Sequence, residues 1–261
     1  MNDAQYKLIV DGARRAGAKF PSNAAWLDFK AAIDAATNDN AAPAPAVASI
    51  TDVLSWPEML AKITNRNAAA ITDADYERAA ADLGHGVTLK HMKASKKVEA
   101  PRGAFDDDGR PSILFERHVF ARNTAPKGRF NAAYPSLSAV GGYGRGGYGA
   151  FSAQYGKLER AYALDPEAAF EGCSWGAFQV LGENAASLGY RSARDMACEL
   201  AASEAAHLDC YVRFIKANGL GDELGQCRAG DPDSCIPFVE RYNGHGFRAF
   251  SYHTHFAEAL R

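Results

Sequence analysis

The chain has 261 residues, with 29 Lys and Arg against 31 Asp and Glu and a formal net charge of −2. That length holds one domain of ordinary size plus a small companion, and so even a charge balance argues against a global polycation built for nucleic acid or an anionic membrane. No apolar run reaches the roughly 18 residues of a membrane span, and charges from Asp3 to Lys19 interrupt the start, so neither membrane insertion nor a signal peptide is expected.

Residues 1–40 read as a small helical module. Tyr6, Ile9 and Val10 supply one apolar face, and Trp26, Phe29, Ala32 and Ile33 a second, with Ser22 or Asn23 as cap. Residues 41–50 form a Pro/Ala linker, extended and semi-rigid. The main domain is expected over 51–261, with its core at 71–261. Within it, Val53, Leu54, Trp56, Met59, Leu60 and Ile63 recur at helical spacing, and Pro57 is tolerable in a first turn. Thr72 to Asp75 opens a helix with acids where the helix dipole favours them; it stops at Gly84-His85-Gly86.

The next helix carries the first candidate for chemistry. Leu89, Met92 and Val98 share a face, Glu99 comes last, and Pro101 and Gly103 stop the pattern. Asp107-Asp108-Gly109 is turn chemistry. Ile113-Leu114-Phe115 and Val119-Phe120 read as strand, interrupted by the polar triplet Glu116-Arg117-His118. A carboxyl at a helix end facing a short sheet that carries another suits glycosidic cleavage: one acid held protonated by apolar surroundings, a second group stabilising charge or activating water. One of Asp106, Asp107 and Asp108 could replace Glu116 in the second role. Lys96, one turn before Glu99, would lower the pKa of that acid unless it points to solvent.

The glycine-rich stretch 141–149 formally contains GxGxxG but lacks the preceding strand of a dinucleotide fold; a loop offering Tyr143 and Tyr148 to sugars suits it better, with a plain structural loop as the alternative. Helices are expected over 154–164, from Pro166 to the Ser174-Trp175-Gly176 motif, and over 190–198, 203–218, 237–241 and 253–260. Trp175 can pack or stack, and packing is favoured; Gln179 is an amide donor and acceptor. His253 and His255 lack a third ligand at suitable spacing, so no metal is expected. Five cysteines argue against a full disulfide framework, although Cys227 and Cys235 flank a Gly/Asp/Pro-rich loop that a bridge could close.

Four separated motifs resemble those of the N-acetylmuramidase family of phage endolysins, related in fold to goose-type lysozymes and lytic transglycosylases. They are Val98-Glu99 with 101–105, Gly109-Arg110-Pro111 running into Ile113 to His118, Ser174 to Gly182, and Tyr242-Asn243-Gly244. The resemblance implies a mainly α, α+β lysozyme-like domain with a small sheet near 105–120. It implies Glu99 and Glu116 as catalytic residues, and Arg117, Tyr143, Trp175, Gln179, Tyr242 and Asn243 as substrate-binding. No cofactor is expected. The implied partner is the peptidoglycan glycan strand, cut by a monomer that is made in the host cytoplasm and released by a holin. A virion tail protein and a lytic transglycosylase using the same Glu99 are the alternatives.

Overall fold

The computed structural model describes residues 54–100, 103–143 and 147–261. The chain divides into two units, one ending at Val53 and one running from Leu54 to Arg261; the expected helical module and linker lie outside the described residues.

Helices begin where the sequence supplies caps. α1 (Trp56–Lys62) starts behind a Ser55–Glu58 capping box with Pro57 in its first turn. α2 (Asp73–Leu83) has Thr72 and Asp75 in the same reciprocal arrangement, the Thr72 amide donating to Asp75 at 2.8 Å. α3 (Leu89–Glu99) buries His91, Met92, Ala94 and Ser95 and ends on the candidate acid. The buried stripe is therefore narrower in apolar content than Leu89, Met92 and Val98 suggested, since His91 and Ser95 are held inside by hydrogen bonds to the Cys227 carbonyl at 3.0 Å and the Tyr211 hydroxyl at 2.7 Å.

The sheet has three short antiparallel strands in sequence order: β1 (Ile113–Phe115), β2 (Cys173–Trp175) and β3 (Val180–Leu181). Ile113 pairs with Trp175 and Phe115 with Cys173, and all four are buried. Period-two alternation then puts Leu114, Ser174 and Leu181 side by side on the opposite face. Two of the strands come from the segment around Ser174-Trp175-Gly176, which the sequence did not announce as strand.

Val119 and Phe120 are not strand. After Phe115 the chain turns, Glu116 becomes an N-cap, and α4 (Arg117–Asn123) carries both residues inward. An apolar pair in so short a window fits either period. What decides is that the Val119 and Phe120 amides both bond to the Glu116 carbonyl at 3.0 Å, closing the first turn of a helix.

The later helices are α5 (Gln154–Tyr162), α6 (Pro166–Glu171), α7 (Ala193–Leu200), α8 (Glu204–Ala217), α9 (Gly221–Gly225), α10 (Pro232–Asn243) and α11 (Tyr252–Ala259). α10 starts five residues before its expected first residue, because Asp231 caps it and Pro232 occupies its first turn; Pro237 lies inside. α8 runs through the core, with Tyr211 and Ile215 fully buried and Phe178 stacked on Tyr211 at 4.5 Å between ring centres. Cys227 and Cys235 are thiols here, each buried, so the disulfide allowed by the sequence is not formed.

Candidate active site

Glu99 and Glu116 line one cleft of about 520 Å³. α3 delivers Glu99 from its last turn, and the end of β1 delivers Glu116 from the cap of α4. The wall between them includes Leu114, Ser174 and Leu181 from the exposed face of the sheet, together with Gln179, Tyr242 and Asn243.

Burial pushes the Glu99 carboxyl up to about 7, because desolvation penalises its charged form. One interaction opposes it: Asn243 Nδ2 donates to Glu99 Oε1 at 2.8 Å. Lys96 does not act on this acid. Its ammonium pairs with Glu204 at 2.7 Å, and Glu204 also accepts the Ile71 amide at 2.9 Å. The charge one turn before Glu99 is thus engaged elsewhere.

Glu116 sits in a different setting. Burial raises its pKa, but the Tyr148 hydroxyl reaches both of its oxygens at 2.8 and 3.0 Å, and His118, Lys157 and Arg122 add favourable charge. His118 Nδ1 lies 3.3 Å from Glu116 Oε2. The sequence did not reveal this pairing: it offered Tyr148 only as one of two tyrosines that a glycine-rich loop presents to sugars. The three aspartates offered as substitutes for Glu116 form a turn away from the cleft. Asp106 accepts the Arg110 side chain at 2.7 Å and the amides of Asp108 and Arg110, while Asp108 pairs with Arg66 and Arg110.

The expected sugar-binding residues divide. Gln179 lines the cleft from a left-handed backbone position with φ of 48°, its amide donating to the Gly176 carbonyl at 2.9 Å. Tyr242 lines it too, with its hydroxyl donated to the Phe178 carbonyl at 2.6 Å, so it offers a ring edge more than a polar group. Asn243 touches Glu99. Trp175 does not reach the cleft: it is 1 % exposed, stacked on Phe170, with its indole N–H donated to the Phe170 carbonyl at 3.0 Å. Its alternation in β2 points it inward while neighbouring Ser174 faces out. Arg117 and Tyr143 build the adjoining loop instead of the cleft. Arg117 donates to the carbonyls of Gly141, Pro135 and Gly142 and lies over the Tyr143 ring, whose hydroxyl bonds to the Ser136 carbonyl at 2.6 Å.

The turn that presents Gln179 depends on a close approach. Gly176 has φ of +69°, and a Cβ there would lie 2.4 Å from His207 Nδ1. His207 is buried, accepts the Ala177 amide at Nδ1 and bonds to the Leu200 carbonyl through Nε2. Its pKa is lowered to about 4 by burial, so it serves as a neutral clasp for this segment. Among the described residues, no group of three or more His, Cys, Asp or Glu side chains is placed to hold a metal ion.

A mainly helical domain with a short antiparallel sheet and an acidic cleft at their junction is lysozyme-like, the architecture of a peptidoglycan-cleaving enzyme. A family model described as N-acetylmuramidase matches residues 88–261, and the chain belongs to that family. Among solved structures, the chain is similar to the endolysin of Burkholderia AP3 phage, with a TM-score of 0.63 and 34 % identity over 75 % of this chain and 71 % of that one. No curated protein matches the chain at a significant level.

Proposed function

We propose that the protein is an endolysin that hydrolyses the β-1,4 bond between N-acetylmuramic acid and N-acetylglucosamine, with Glu99 as general acid and Glu116 as the carboxylate that activates water or stabilises the oxocarbenium ion. The observation that carries this reading is the unequal environment of two carboxyls in one cleft. Glu99 is buried with a single opposing donor and a pKa of about 7, so it holds a proton under mildly acidic to neutral conditions. Burial raises the Glu116 carboxyl as well, but there the Tyr148 hydroxyl, shared between both oxygens, and electrostatic support from His118, Lys157 and Arg122 oppose the rise. Glu99 has one group working against its burial and Glu116 has four, which supports the acid role for Glu99 and the charged role for Glu116.

The chemistry follows from the atoms. Asn243 occupies Glu99 Oε1, which leaves Oε2 to carry the proton and give it to the glycosidic oxygen as the bond to the anomeric carbon breaks. Water forms the new bond to that carbon and passes its proton to Glu116. The glycan strand of peptidoglycan is the partner, and the enzyme acts as a monomer, made in the host cytoplasm and admitted to the wall when a holin opens the membrane. Among the described residues no helix is long and apolar enough to cross a membrane.

Mass spectrometry of digested peptidoglycan tests the reaction. Reducing muramic ends support hydrolysis; anhydro ends assign a lytic transglycosylase, in which the muramic 6-hydroxyl takes the place of water; no products leave a wall-binding or tail protein. Glu99→Gln should abolish lysis while wall binding persists. A Glu99→Gln variant that clears cells at the wild-type rate sinks the assignment of the acid.

A further inference from the structure

Tyr252 stands in the same cleft as Glu99 and Glu116. It is the first residue of α11, set there by Ser251, whose left-handed backbone has φ of 56°. The hydroxyls of the other two tyrosines in the cleft wall are engaged. Tyr148 donates to Glu116, and Tyr242 donates to the Phe178 carbonyl. Among the described residues, no protein group forms a hydrogen bond with the Tyr252 hydroxyl. A half-buried phenol without a protein partner needs water or a ligand in its place.

Its charge state is fixed. Burial, with Glu99 and Glu116 next in effect, raises the Tyr252 pKa to about 12. The residue therefore remains a neutral phenol wherever the carboxyls work, able to donate one hydrogen bond and accept others without competing for the catalytic proton. Both carboxyls are near enough to influence it.

We infer that the Tyr252 hydroxyl is a third functional group of the reaction centre, one that together with Glu116 holds the oxygen that attacks the anomeric carbon. This rests on the assignment of Glu99 and Glu116 above. In hydrolysis that oxygen is water: one of its hydrogens goes to Glu116 as its new bond to carbon forms, Tyr252 fixes its orientation, and the proton of Glu99 leaves with the departing sugar. No proton is gained or lost at Tyr252. Its contribution is positional, so it belongs in kcat more than in KM.

Tyr252→Phe tests this directly, because it removes a hydroxyl that no group among the described residues uses and should leave the unfolding midpoint where it was. On purified glycan strands we expect kcat to fall about 10- to 100-fold, the scale of one well-placed hydrogen bond to a reacting group, with KM within about twofold. The fraction of anhydro ends should also rise, since a loosely held water competes less well with the muramic 6-hydroxyl. An unchanged kcat overturns the inference, as does a parallel loss of kcat and unfolding midpoint with the product ratio unaltered. The Glu99→Gln control separates the two levels. If it is inactive and Tyr252→Phe is normal, only the role of Tyr252 fails; if it is active, the reading of the whole site fails.

Discussion

The amide of Asn243 donates to the carboxyl of Glu99 across 2.8 Å, joining the end of α10 to the end of α3. That bond favours ionised Glu99 and works against the burial that holds the acid neutral. Removing it has a signed consequence. In Asn243→Leu the Glu99 pKa should rise above its present value of about 7, so the alkaline limb of kcat moves to higher pH even as substrate affinity weakens. Initial rates on peptidoglycan across the neutral to alkaline range give the answer. A limb that stays put or moves down shows that Asn243 does not control this acid.

The same displacement makes Glu99 costly to the fold at alkaline pH. Its pKa is about 7 in the folded protein against an ordinary 4.5, so the folded state binds the proton more tightly than the unfolded chain does. The associated stability is complete below about 4.5 and is lost as pH rises through about 7. The displacement corresponds to at most about 3 kcal/mol, reduced by water in the cleft. Glutamine carries no charge at any pH and keeps a carbonyl for Asn243. Glu99→Gln should therefore be more stable than wild type at pH 8 by about 1–3 kcal/mol, with the gap closing toward pH 5. Urea unfolding of both proteins at the two pH values checks this, and a gap that widens on acidification contradicts the buried neutral carboxyl.

How far the sequence spoke depends on the distance over which each decision is taken. Glu99 at a helix end was legible because its stripe, the stop at Gly103 and the following turn are all local. From the motif around Ser174 and the Tyr242-Asn243 pair, Ser174, Gln179, Tyr242 and Asn243 line the cleft, whereas Trp175 is buried. Trp175 and Gln179 lie four residues apart in one motif, yet one faces the core and the other the cleft, because strand alternation and the left-handed turn at Gln179 separate them. The partner of Lys96 is 108 residues away and that of Glu116 is 32 away; neither pairing leaves a local signal. The role of Val119 and Phe120 turned on where pairing to β2 ran out, a tertiary fact that no short window contains.

Tyr148 is predicted to set the charge state of Glu116. Tyr148→Phe removes the hydroxyl whose hydrogen is shared between the two Glu116 oxygens and favours the carboxylate, and burial then raises the Glu116 pKa further. The acid limb of kcat/KM should shift upward, and the rate at pH 6 should fall about 10-fold, as expected for loss of a hydrogen bond to a charged group. Glu116→Gln should cost more than Tyr148→Phe at every pH. If Tyr148→Phe leaves the acid limb in place, Glu116 is not the group that titrates there.

Trp175 separates packing from binding. Fully buried against Phe170, it should behave as core: Trp175→Ala should lose about 3–5 kcal/mol, a large share of the roughly 5–15 kcal/mol that holds a domain together. Trp175→Phe is the more informative change. It keeps most of the ring contact but leaves the Phe170 carbonyl without the indole donor now 3.0 Å away, for a loss of about 1–3 kcal/mol. Because the side chain does not reach the cleft, KM for glycan strands should match wild type at a temperature where both proteins are folded. Thermal unfolding and steady-state kinetics on the same preparation decide between the two roles. A raised KM with an unaltered midpoint would return Trp175 to the substrate site.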